Sequence, residues 1–294
     1  MNSRHRLDHS PFLATPGKKI KLSSYDPGYT DGFKDKDEAQ AALEEDKAAL
    51  EKAQEILYAS SQRAVLLIFQ AMDAAGKDGT IKHVMSGVNP QGCSVHSFKA
   101  PSPEEVSRPF LWRYFQHVPA KGKIGIFNRS YYEEVLVTRV HTRFLDAQRL
   151  PVKSYDTPFW ESRYADINAF EKHLANTGTL VIKFFLNVSK AEQKKRFLKR
   201  LNEEQKHWKF SDADIRERQH WNDYQEAYES MINATSTPHA PWHIIPADKK
   251  WFTRAAVADV VIHHLETCGM KYPTVTDAQL KAIDDARQKL ESES

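Results

Sequence analysis

The sequence predicts an α/β domain whose parallel sheet is covered by helices on both faces. Strand-like and helix-like segments alternate along most of the 294 residues. The strand-like segments, such as residues 64–69, are apolar on both faces, as is typical of strands buried within a parallel sheet. No internal repeat or Ser/Gly-rich linker divides the chain, so we expect one domain with appended helices.

The elements follow from the pattern of apolar residues. Residues 1–36 are polar and rich in turn residues and are expected to form an irregular arm, and the main domain is expected to span 37–270. Five parallel strands are predicted at 64–69, 93–99, 123–128, 179–188 and 242–245. Helices are predicted at 37–59, 79–85, 103–117, 130–139, 160–175, 189–201, 212–234 and 250–268.

Two helices are candidates for roles outside the core. The helix over 37–59 either packs on the surface of the domain or serves self-association. A last amphipathic helix is predicted within 271–294, after Pro273. Its apolar residues share one face, at Leu280, Ile283, Ala286 and Leu290.

Composition limits the classes of protein that fit the chain. The 42 basic and 39 acidic residues give a net charge of +3, which does not fit a protein that coats nucleic acid. Two distant cysteines, Cys93 and Cys268, and an N-terminus without an apolar signal segment favour a cytoplasmic protein. The longest aliphatic run, 64–69, is too short to span a bilayer, so no membrane partner is expected.

The segment 70–80, between the first buried strand and a helix, carries the strongest chemical signal. It keeps the Gly-Lys pair of the phosphate-loop pattern G-x-x-x-x-G-K-[ST], but Ala71 replaces the first glycine and Asp78 the Ser/Thr. Small residues let backbone N–H groups approach phosphate oxygens at a helix N-terminus, and Lys77 adds a point charge. The predicted phosphate-binding residues here are Ala74, Ala75, Gly76, Lys77, Asp78 and Gly79.

Two carboxylates, Asp73 and Asp78, flank this anion site. Because carboxylates repel phosphate, their presence is explained if a divalent cation lies between them. Mg²⁺ is typically held by one or two carboxylates together with phosphate oxygens and water. The alternative is structural: Asp78 caps the helix, and Asp73 stabilises a tight turn.

A second polar cluster follows the third predicted strand. Ligands bind beyond the carboxyl ends of strands in open parallel sheets, so Asn128 and Arg129 are expected to face the same crevice as Lys77. Asn128 can offer a carbonyl oxygen to a metal, Arg129 can bind two phosphate oxygens, and Glu133 adds a carboxylate. Alternatively, Glu133 is a solvated helix residue paired with Arg129 or Arg139.

Residues 190–209 form a basic segment. Ser189 is a predicted N-cap for its helix, and Arg196 and Arg200, four residues apart, share one helical face. In a phosphotransferase, a mobile lid at this position brings arginines over the transferring phosphoryl group. Taken alone, the segment is equally consistent with an ordinary solvated basic face.

Five segments together resemble the polyphosphate kinase 2 family, over about residues 27–257. They are Met72-Asp-Ala-Ala-Gly-Lys-Asp-Gly79, Phe127-Asn-Arg-Ser-Tyr-Tyr-Glu133, His207-Trp-Lys-Phe-Ser211, Trp221-Asn-Asp-Tyr224 and Ala240-Pro-Trp-His-Ile-Ile-Pro-Ala-Asp248. The resemblance implies a P-loop kinase fold similar to thymidylate kinase, with three α/β/α layers, a five-stranded parallel sheet and a helical lid at about 190–222. It also implies reversible phosphate transfer between inorganic polyphosphate and nucleotides.

The resemblance assigns roles at matching positions. Asp73 and Lys77 match the Walker A acid and lysine, and Asn128 and Arg129 match the Walker B pair. The expected catalytic residues are Asp73, Lys77, Arg129 and the two lid arginines, Arg196 and Arg200. Further residues expected to bind phosphate or nucleotide are Lys82, Asn128 and Lys209.

The Walker B segment departs from the commoner family pattern. That pattern begins Asp-Arg-Ser, whereas here Asn128 takes the first place and Glu133 follows five residues on. This variant resembles the class III subgroup, which accepts both AMP and ADP. We expect the metal ligands to be Asp73 and Glu133, with Asn128 as a further candidate, and the metal to be Mg²⁺, with Mn²⁺ as a substitute.

The expected reaction is in-line transfer of the terminal phosphoryl of polyphosphate to ADP and to AMP, which gives ATP and ADP. The expected partners are these molecules and further copies of the chain, in a dimer or tetramer, without nucleic acid. An ATP-dependent nucleoside monophosphate kinase of the same fold is an alternative, but it favours Ser or Thr at position 78. A non-catalytic polyanion- or RNA-binding module would use the basic face at 190–209, but it does not explain the acids at the phosphate loop.

Overall fold

The apolar strand segments assemble into one mainly parallel sheet. The structure, a computed structural model, describes residues 7–152, 154–209 and 211–293, without the side chains of residues 206 and 209. The strands in these ranges are β1 (Leu13–Ala14), β2 (Ala64–Gln70), β3 (Cys93–Ser97), β4 (Ile124–Asn128), β5 (Thr179–Asn187) and β6 (Trp242–Pro246). Their order across the sheet is β1-β6-β5-β2-β4-β3, and β2 to β6 are parallel, as predicted.

Helices surround the sheet in the described ranges. The α-helices are α1 (Lys36–Ser60), α2 (Lys77–Val84), α3 (Pro103–Val106), α4 (Trp112–Phe115), α5 (Glu133–Val140), α6 (Arg143–Asp146), α7 (Thr157–Asn176), α8 (Lys190–Asn202), α9 (Asp212–Glu217), α10 (Trp221–Thr235), α11 (Lys250–Thr267) and α12 (Asp277–Glu291). Short 3₁₀ helices occur at Leu22–Ser24, Pro90–Gly92, Glu204–Lys209 and Arg218–His220. Across the described ranges, no helix is both long and apolar enough to pass through a membrane.

The two faces of the sheet carry different helices. On β6, Trp242 points to the side of α10, where its indole N–H donates to Thr235 Oγ1 at 2.9 Å. The next residue, His243, points to the opposite side and meets His264 of α11. Helix α1 packs on α11, and α7 packs on β5 and α10. The result is the predicted three-layer α/β/α arrangement, with β2, β4, β5 and β6 almost completely buried between the layers.

The sixth strand, β1, corrects the prediction of a five-stranded sheet with an irregular N-terminal arm. Leu13 and Ala14 pair antiparallel with His243 and Trp242, and the Phe12 carbonyl accepts a hydrogen bond from the Ile244 amide at 2.7 Å. A strand of two residues is too short to show an alternating pattern. The strand β1 forms because it pairs with β6, which comes more than 200 residues later in the chain.

Two predicted helices are interrupted. The segment 103–117 forms two single turns, α3 and α4, because Pro109 between them lacks an amide hydrogen and restricts the residue before it. The segment 212–234 changes from α9 to a 3₁₀ turn and then to α10, a change of helical type that apolar spacing does not encode. By contrast, Ser189 caps α8 as predicted and accepts a hydrogen bond from the Glu192 amide at 3.1 Å.

Two histidines in contact, the buried His243 of β6 and the part-buried His264 of α11, predict acid sensitivity. His243 Nε2 lies 3.3 Å from His264 Nε2, and burial with the neighbouring histidines lowers the pKa of His243 to about 3 and that of His264 to about 4. The unfolded chain therefore binds more protons than the folded chain from about pH 6.5 down to about pH 4. Stability should therefore decrease as the pH falls through this window, by up to about 1.4 kcal/mol per pH unit for each histidine.

Thermal unfolding between pH 7.5 and pH 4.5 tests this expectation. A His243→Gln variant has one of the two groups removed, so its Tm should fall less steeply with acid than that of the wild type. If Tm falls equally steeply with decreasing pH in both proteins, other groups control acid unfolding.

Candidate active site

The carboxyl ends of the strands open onto a cleft of about 800 Å³. Because β2, β3, β4 and β5 are parallel and in register, the segments that follow them meet at one edge of the sheet. The cleft is lined by the phosphate loop and start of α2 (73–80), the segment after β3 (97–100), Asn128, Arg129, Arg196, Lys199, Arg200, Asp214, Lys250, Thr253 and Arg254. Eight of the 21 lining residues are basic and three are acidic, so the cleft suits a highly charged anion.

The phosphate loop owes its shape to two residues with left-handed backbone. Gly76 has φ 109° at the N-terminus of α2, a conformation that favours glycine. Ala74 has φ 61°, which is unfavourable for a residue with a side chain and is a form of strain found at functional sites. Together they turn the chain from β2 into α2 within six residues, from Ala71 to Gly76.

Lys77 opens α2 and points back into the loop. Its ammonium group donates to the Ala71 carbonyl at 2.8 Å, and only 8% of the residue is exposed. Burial and the nearby Arg129 lower the pKa of Lys77, while Asp73, Glu133 and Asp78 act in the opposite direction. The structure thus places Lys77, the expected Walker A lysine, near three acids, of which Asp73 and Asp78 line the same cleft.

Arg129 lies between the two acids that the sequence proposes as metal ligands. Its guanidinium donates to Asp73 Oδ1 at 2.7 Å, and it lies 3.7 Å from Glu133 Oε2. Glu133, followed by Asp73, raises the pKa of Arg129 further above its usual value, so the side chain is a permanent cation. Glu133 also accepts a hydrogen bond from Gln70 at 2.9 Å, which fixes its carboxylate at the end of β2.

Asp78 and Asn128 form a separate pair on the other side of Lys77. The Asn128 amide donates to Asp78 Oδ1 at 2.8 Å. The helix has no side-chain N-cap, so the alternative in which Asp78 caps it is wrong. This hydrogen bond fixes the orientation of the amide that replaces the commoner Walker B aspartate.

A metal at this cleft would depend on substrate for most of its ligands. In the described ranges, no group of three or more His, Cys, Asp or Glu side chains is arranged to hold a metal ion. The available donors are carboxylate and amide oxygens of Asp73, Glu133 and Asn128, which are the hard ligands that Mg²⁺ prefers. Such a set fits an ion that keeps water and phosphate oxygens in its shell.

The two expected lid arginines occupy different environments. Arg196 is 9% exposed, and its guanidinium donates to four backbone carbonyls, Ala74 and Ala75 of the phosphate loop and Ala247 and Asp248 after β6. It therefore ties the phosphate loop to a neighbouring loop. Arg200 lines the cleft and pairs with Asp214 of α9 at 2.9 Å.

Of the two other predicted basic residues, the structure describes the side chain of one. Lys82 is exposed on α2 and is not part of the cleft lining, so the structure does not bring it to the other site residues. The side chain of Lys209 lies outside the described part of the chain.

Several cleft residues were missed at the level of sequence. Lys250 and Arg254 project from the first turns of α11, which follows β6, and Lys99 follows β3. The rule that ligands bind at the carboxyl ends of strands applies to β3 and β6 as well and would have indicated them. Gln193 gave no such signal; its amide donates to the Asp73 carbonyl at 2.9 Å and accepts from Arg218 at 2.6 Å.

The fold and the cleft together define a class of protein. The chain passes from a buried strand through a tight anion-binding loop into a helix that begins with lysine. Arginines of the same cleft face this loop. These are the elements of a P-loop-type phosphotransferase.

The family follows from comparison with known proteins. A family model described as Polyphosphate kinase 2 (PPK2) matches residues 33–273, and the chain belongs to this family of phosphotransferases. It is 46% identical over 286 residues to an ADP-polyphosphate phosphotransferase of Rhodopseudomonas palustris, covering 97% of this chain and 99% of the relative. It is 45% identical over 273 residues to an AMP/ADP-polyphosphate phosphotransferase of Meiothermus ruber, covering 92% of this chain and 98% of that protein.

A solved structure agrees in fold. The crystal structure of Polyphosphate Kinase 2 from Arthrobacter aurescens TC1 superposes with a TM-score of 0.86 at 39% identity, covering 96% of this chain and 98% of that one. The likeness extends over nearly the whole of both chains and therefore includes the strand edge that forms the cleft.

Proposed function

We propose that this polyphosphate kinase transfers the terminal phosphoryl group of inorganic polyphosphate, reversibly and with Mg²⁺, to ADP and to AMP. The observation that carries the proposal is the meeting of Lys77, Arg129 and Arg200 with Asp73 in one cleft at the carboxyl edge of the sheet. A second acid, Glu133, does not line the cleft but lies 3.7 Å from Arg129. The names of the two relatives, an ADP- and an AMP/ADP-polyphosphate phosphotransferase, support the substrate class.

The chemistry requires positioning more than proton transfer. The attacking phosphate oxygen of ADP or AMP is already anionic near pH 7, so no general base is needed. The barrier comes from bringing two polyanions together and from charge on the transferring group, which fixed cations reduce. Lys77 and the phosphate-loop amides would hold one phosphate chain, and Arg129 and Arg200 would bind oxygens of the group in transit.

Mg²⁺ would be held by Asp73 and Glu133, with the Asn128 carbonyl as a further ligand. When bound, the ion supplies charge neutralisation between opposed phosphates. The two carboxylates already flank Arg129, so they also set where this cation points.

Acceptance of AMP as well as ADP is proposed from two sources. The relative from Meiothermus ruber is named for both nucleotides. In this chain the Walker B position is Asn128, whose neutral amide adds no negative charge of its own opposite a nucleotide phosphate.

The remaining expectations also stand as proposals. They are a lid over about residues 190–222, a domain that spans 37–270, a C-terminal helix within 271–294, a cytoplasmic location and assembly into a dimer or tetramer. The structure has helices α8 to α10 in the lid region and α12 in the C-terminal one, whose apolar side chains Leu280, Ile283 and Leu290 are exposed. Light scattering during gel filtration tests the assembly.

One assay tests the proposed activity. The protein is incubated with polyphosphate, Mg²⁺ and either ADP or AMP, without ATP, and the nucleotides are separated by chromatography. We expect ATP from ADP, and ADP followed by ATP from AMP. Phosphorylation of AMP only when ATP is added would identify an ATP-dependent monophosphate kinase, and binding of polyphosphate without any product would identify a polyanion-binding module.

Ionic strength should weaken polyphosphate binding strongly. Each cation that contacts the polymer releases a counterion, so the apparent KM for polyphosphate should rise more than about tenfold between about 50 and 200 mM salt. The KM for ADP, which carries far fewer charges, should rise much less. A polyphosphate KM that does not change with salt would contradict binding through the basic side chains of the cleft.

A further inference from the structure

A buried polar network lies directly behind the segment that carries Arg129 and Glu133. Its four side chains, Tyr131, Tyr132, Glu171 and Lys183, are each 0% exposed. The tyrosines form the turn between β4 and α5, Glu171 comes from α7, and Lys183 comes from the interior strand β5. None of the four lines the cleft.

The hydrogen bonds of this network are complete. The Lys183 ammonium group donates to Glu171 Oε2 at 2.7 Å, to Tyr132 Oη at 2.8 Å and to the Thr235 carbonyl at 2.7 Å. Tyr131 and Tyr132 both donate to Glu171 Oε1, at 2.8 and 2.7 Å. All three N–H groups of the lysine and both hydroxyls therefore have acceptors, so the arrangement of the four side chains is tightly specified.

The turn next to this network holds an unfavourable backbone conformation. Arg129 has φ 65°, in the left-handed region that a residue with a side chain rarely adopts, and its amide donates to the Phe69 carbonyl at 3.1 Å. Such a conformation persists only when its surroundings fix it. The next residue, Ser130, is fully buried, and the two tyrosines after it are the anchors that connect this turn to α7 and β5.

Stability alone does not account for an ion pair in this position. A buried pair can commonly be replaced by apolar side chains of similar volume without loss of stability, because desolvation of the charges offsets their attraction. Hydrogen bonds, however, have direction, and they hold the two phenol rings, and so the turn, in one place.

We propose that Glu171 and Lys183, acting through Tyr131 and Tyr132, are positioning residues that hold Arg129 and Glu133 in the geometry needed for phosphoryl transfer. This inference rests on the role proposed above for Arg129. The positioning role predicts that turnover falls when these residues are substituted, although they do not line the cleft.

The first test is Tyr132→Phe, which keeps the ring and removes the hydroxyl that joins Glu171 to Lys183. We expect kcat to fall about tenfold or more, since small displacements of a positioning group slow transfer steeply, while the KM for ADP changes by less than about threefold. Tyr164→Phe is the matched control, because this tyrosine is also buried and its hydroxyl accepts one hydrogen bond, from Arg139. The control should keep kcat within about twofold when both variants are assayed well below their Tm.

The second test separates positioning from stability. A variant with Tyr131→Phe, Tyr132→Phe, Glu171→Leu and Lys183→Met replaces the whole network with apolar side chains. We expect a Tm equal to or above that of the wild type, together with a kcat at least as low as that of Tyr132→Phe. Wild-type turnover in this folded variant would overturn the proposal, and if the variant does not fold, Tyr132→Phe alone decides.

An Arg129→Lys variant distinguishes failure of this inference from failure of the proposed site. Normal turnover in Arg129→Lys would remove the arginine from the mechanism. Slow turnover in Arg129→Lys with normal turnover in Tyr132→Phe would overturn only the positioning role. If the tyrosine acts through the arginine, the double variant should be about as slow as Arg129→Lys, whereas losses that multiply would contradict the proposal.

Discussion

Replacement of Lys77 by methionine is expected to lower kcat about 10³-fold without lowering the stability of the fold. The first effect follows from the loss of the point charge at the phosphate loop, where few water molecules can replace it. The second follows from burial, which lowers the pKa of Lys77 and so marks the charged group as unfavourable for the folded state. An uncharged side chain of similar length should leave Tm unchanged or raise it.

Steady-state kinetics with ADP and polyphosphate, together with thermal unfolding, measure both effects. Lys172→Met is the matched control, because Lys172 is exposed on α7 and lies outside the cleft. It should change neither kcat nor Tm appreciably. Turnover near the wild-type level in Lys77→Met would remove this lysine from the site, and a collapse of Tm would show that it is required for folding.

Asp73→Asn is expected to lower kcat about 10²-fold or more and to weaken the binding of Mg²⁺. The carboxylate has two proposed roles, as a ligand for the ion and as the partner that pairs with Arg129 at 2.7 Å. Asp73 is part-exposed, so little stability depends on it. The concentration of Mg²⁺ that gives half-maximal rate separates the roles: it should rise if the carboxylate binds the ion and stay constant if it only orients the arginine.

Glu133→Gln provides the comparison for this experiment. Glu133 pairs with the same arginine at the longer distance of 3.7 Å, and its other oxygen accepts from Gln70. Asp166→Asn, an exposed position on α7, serves as the inactive control. If neither acidic variant changes the half-maximal Mg²⁺ concentration, the metal site proposed at Asp73 and Glu133 is wrong.

The sheet could be predicted because its strands are marked by composition. Runs such as 64–69 and 179–187 are mostly apolar. A strand that is apolar on both faces is typical of a parallel sheet covered by helices on both sides, and both strands are buried in this way. β1 could not be predicted, since two residues form a strand only where β6 offers an open edge. Pro109 was available as a signal for the break between α3 and α4, and the apolar spacing of 103–117 outweighed it.

The site was predictable where a strand end and a motif coincide. Lys77, Asp73 and Arg129 meet in the cleft because they follow adjacent parallel strands, β2 and β4. The contacts of Arg196 were not predictable, since its acceptors are backbone carbonyls of distant loops, and a carbonyl belongs to every residue type. Lys183 and Glu171 were hidden for another reason: a lysine within an apolar strand gives no sign of which helix supplies its partner.

The two-residue strand β1 also determines when the sheet can be completed during synthesis of the chain. During synthesis from the N-terminus, Leu13 is made 230 residues before its partner, His243. At ribosomal rates of about 5–20 residues per second, about ten seconds or more therefore pass between the synthesis of β1 and the synthesis of β6, its partner in the sheet. Closure of that edge is a contact of very high sequence separation, and it can form only after β6 has left the ribosome.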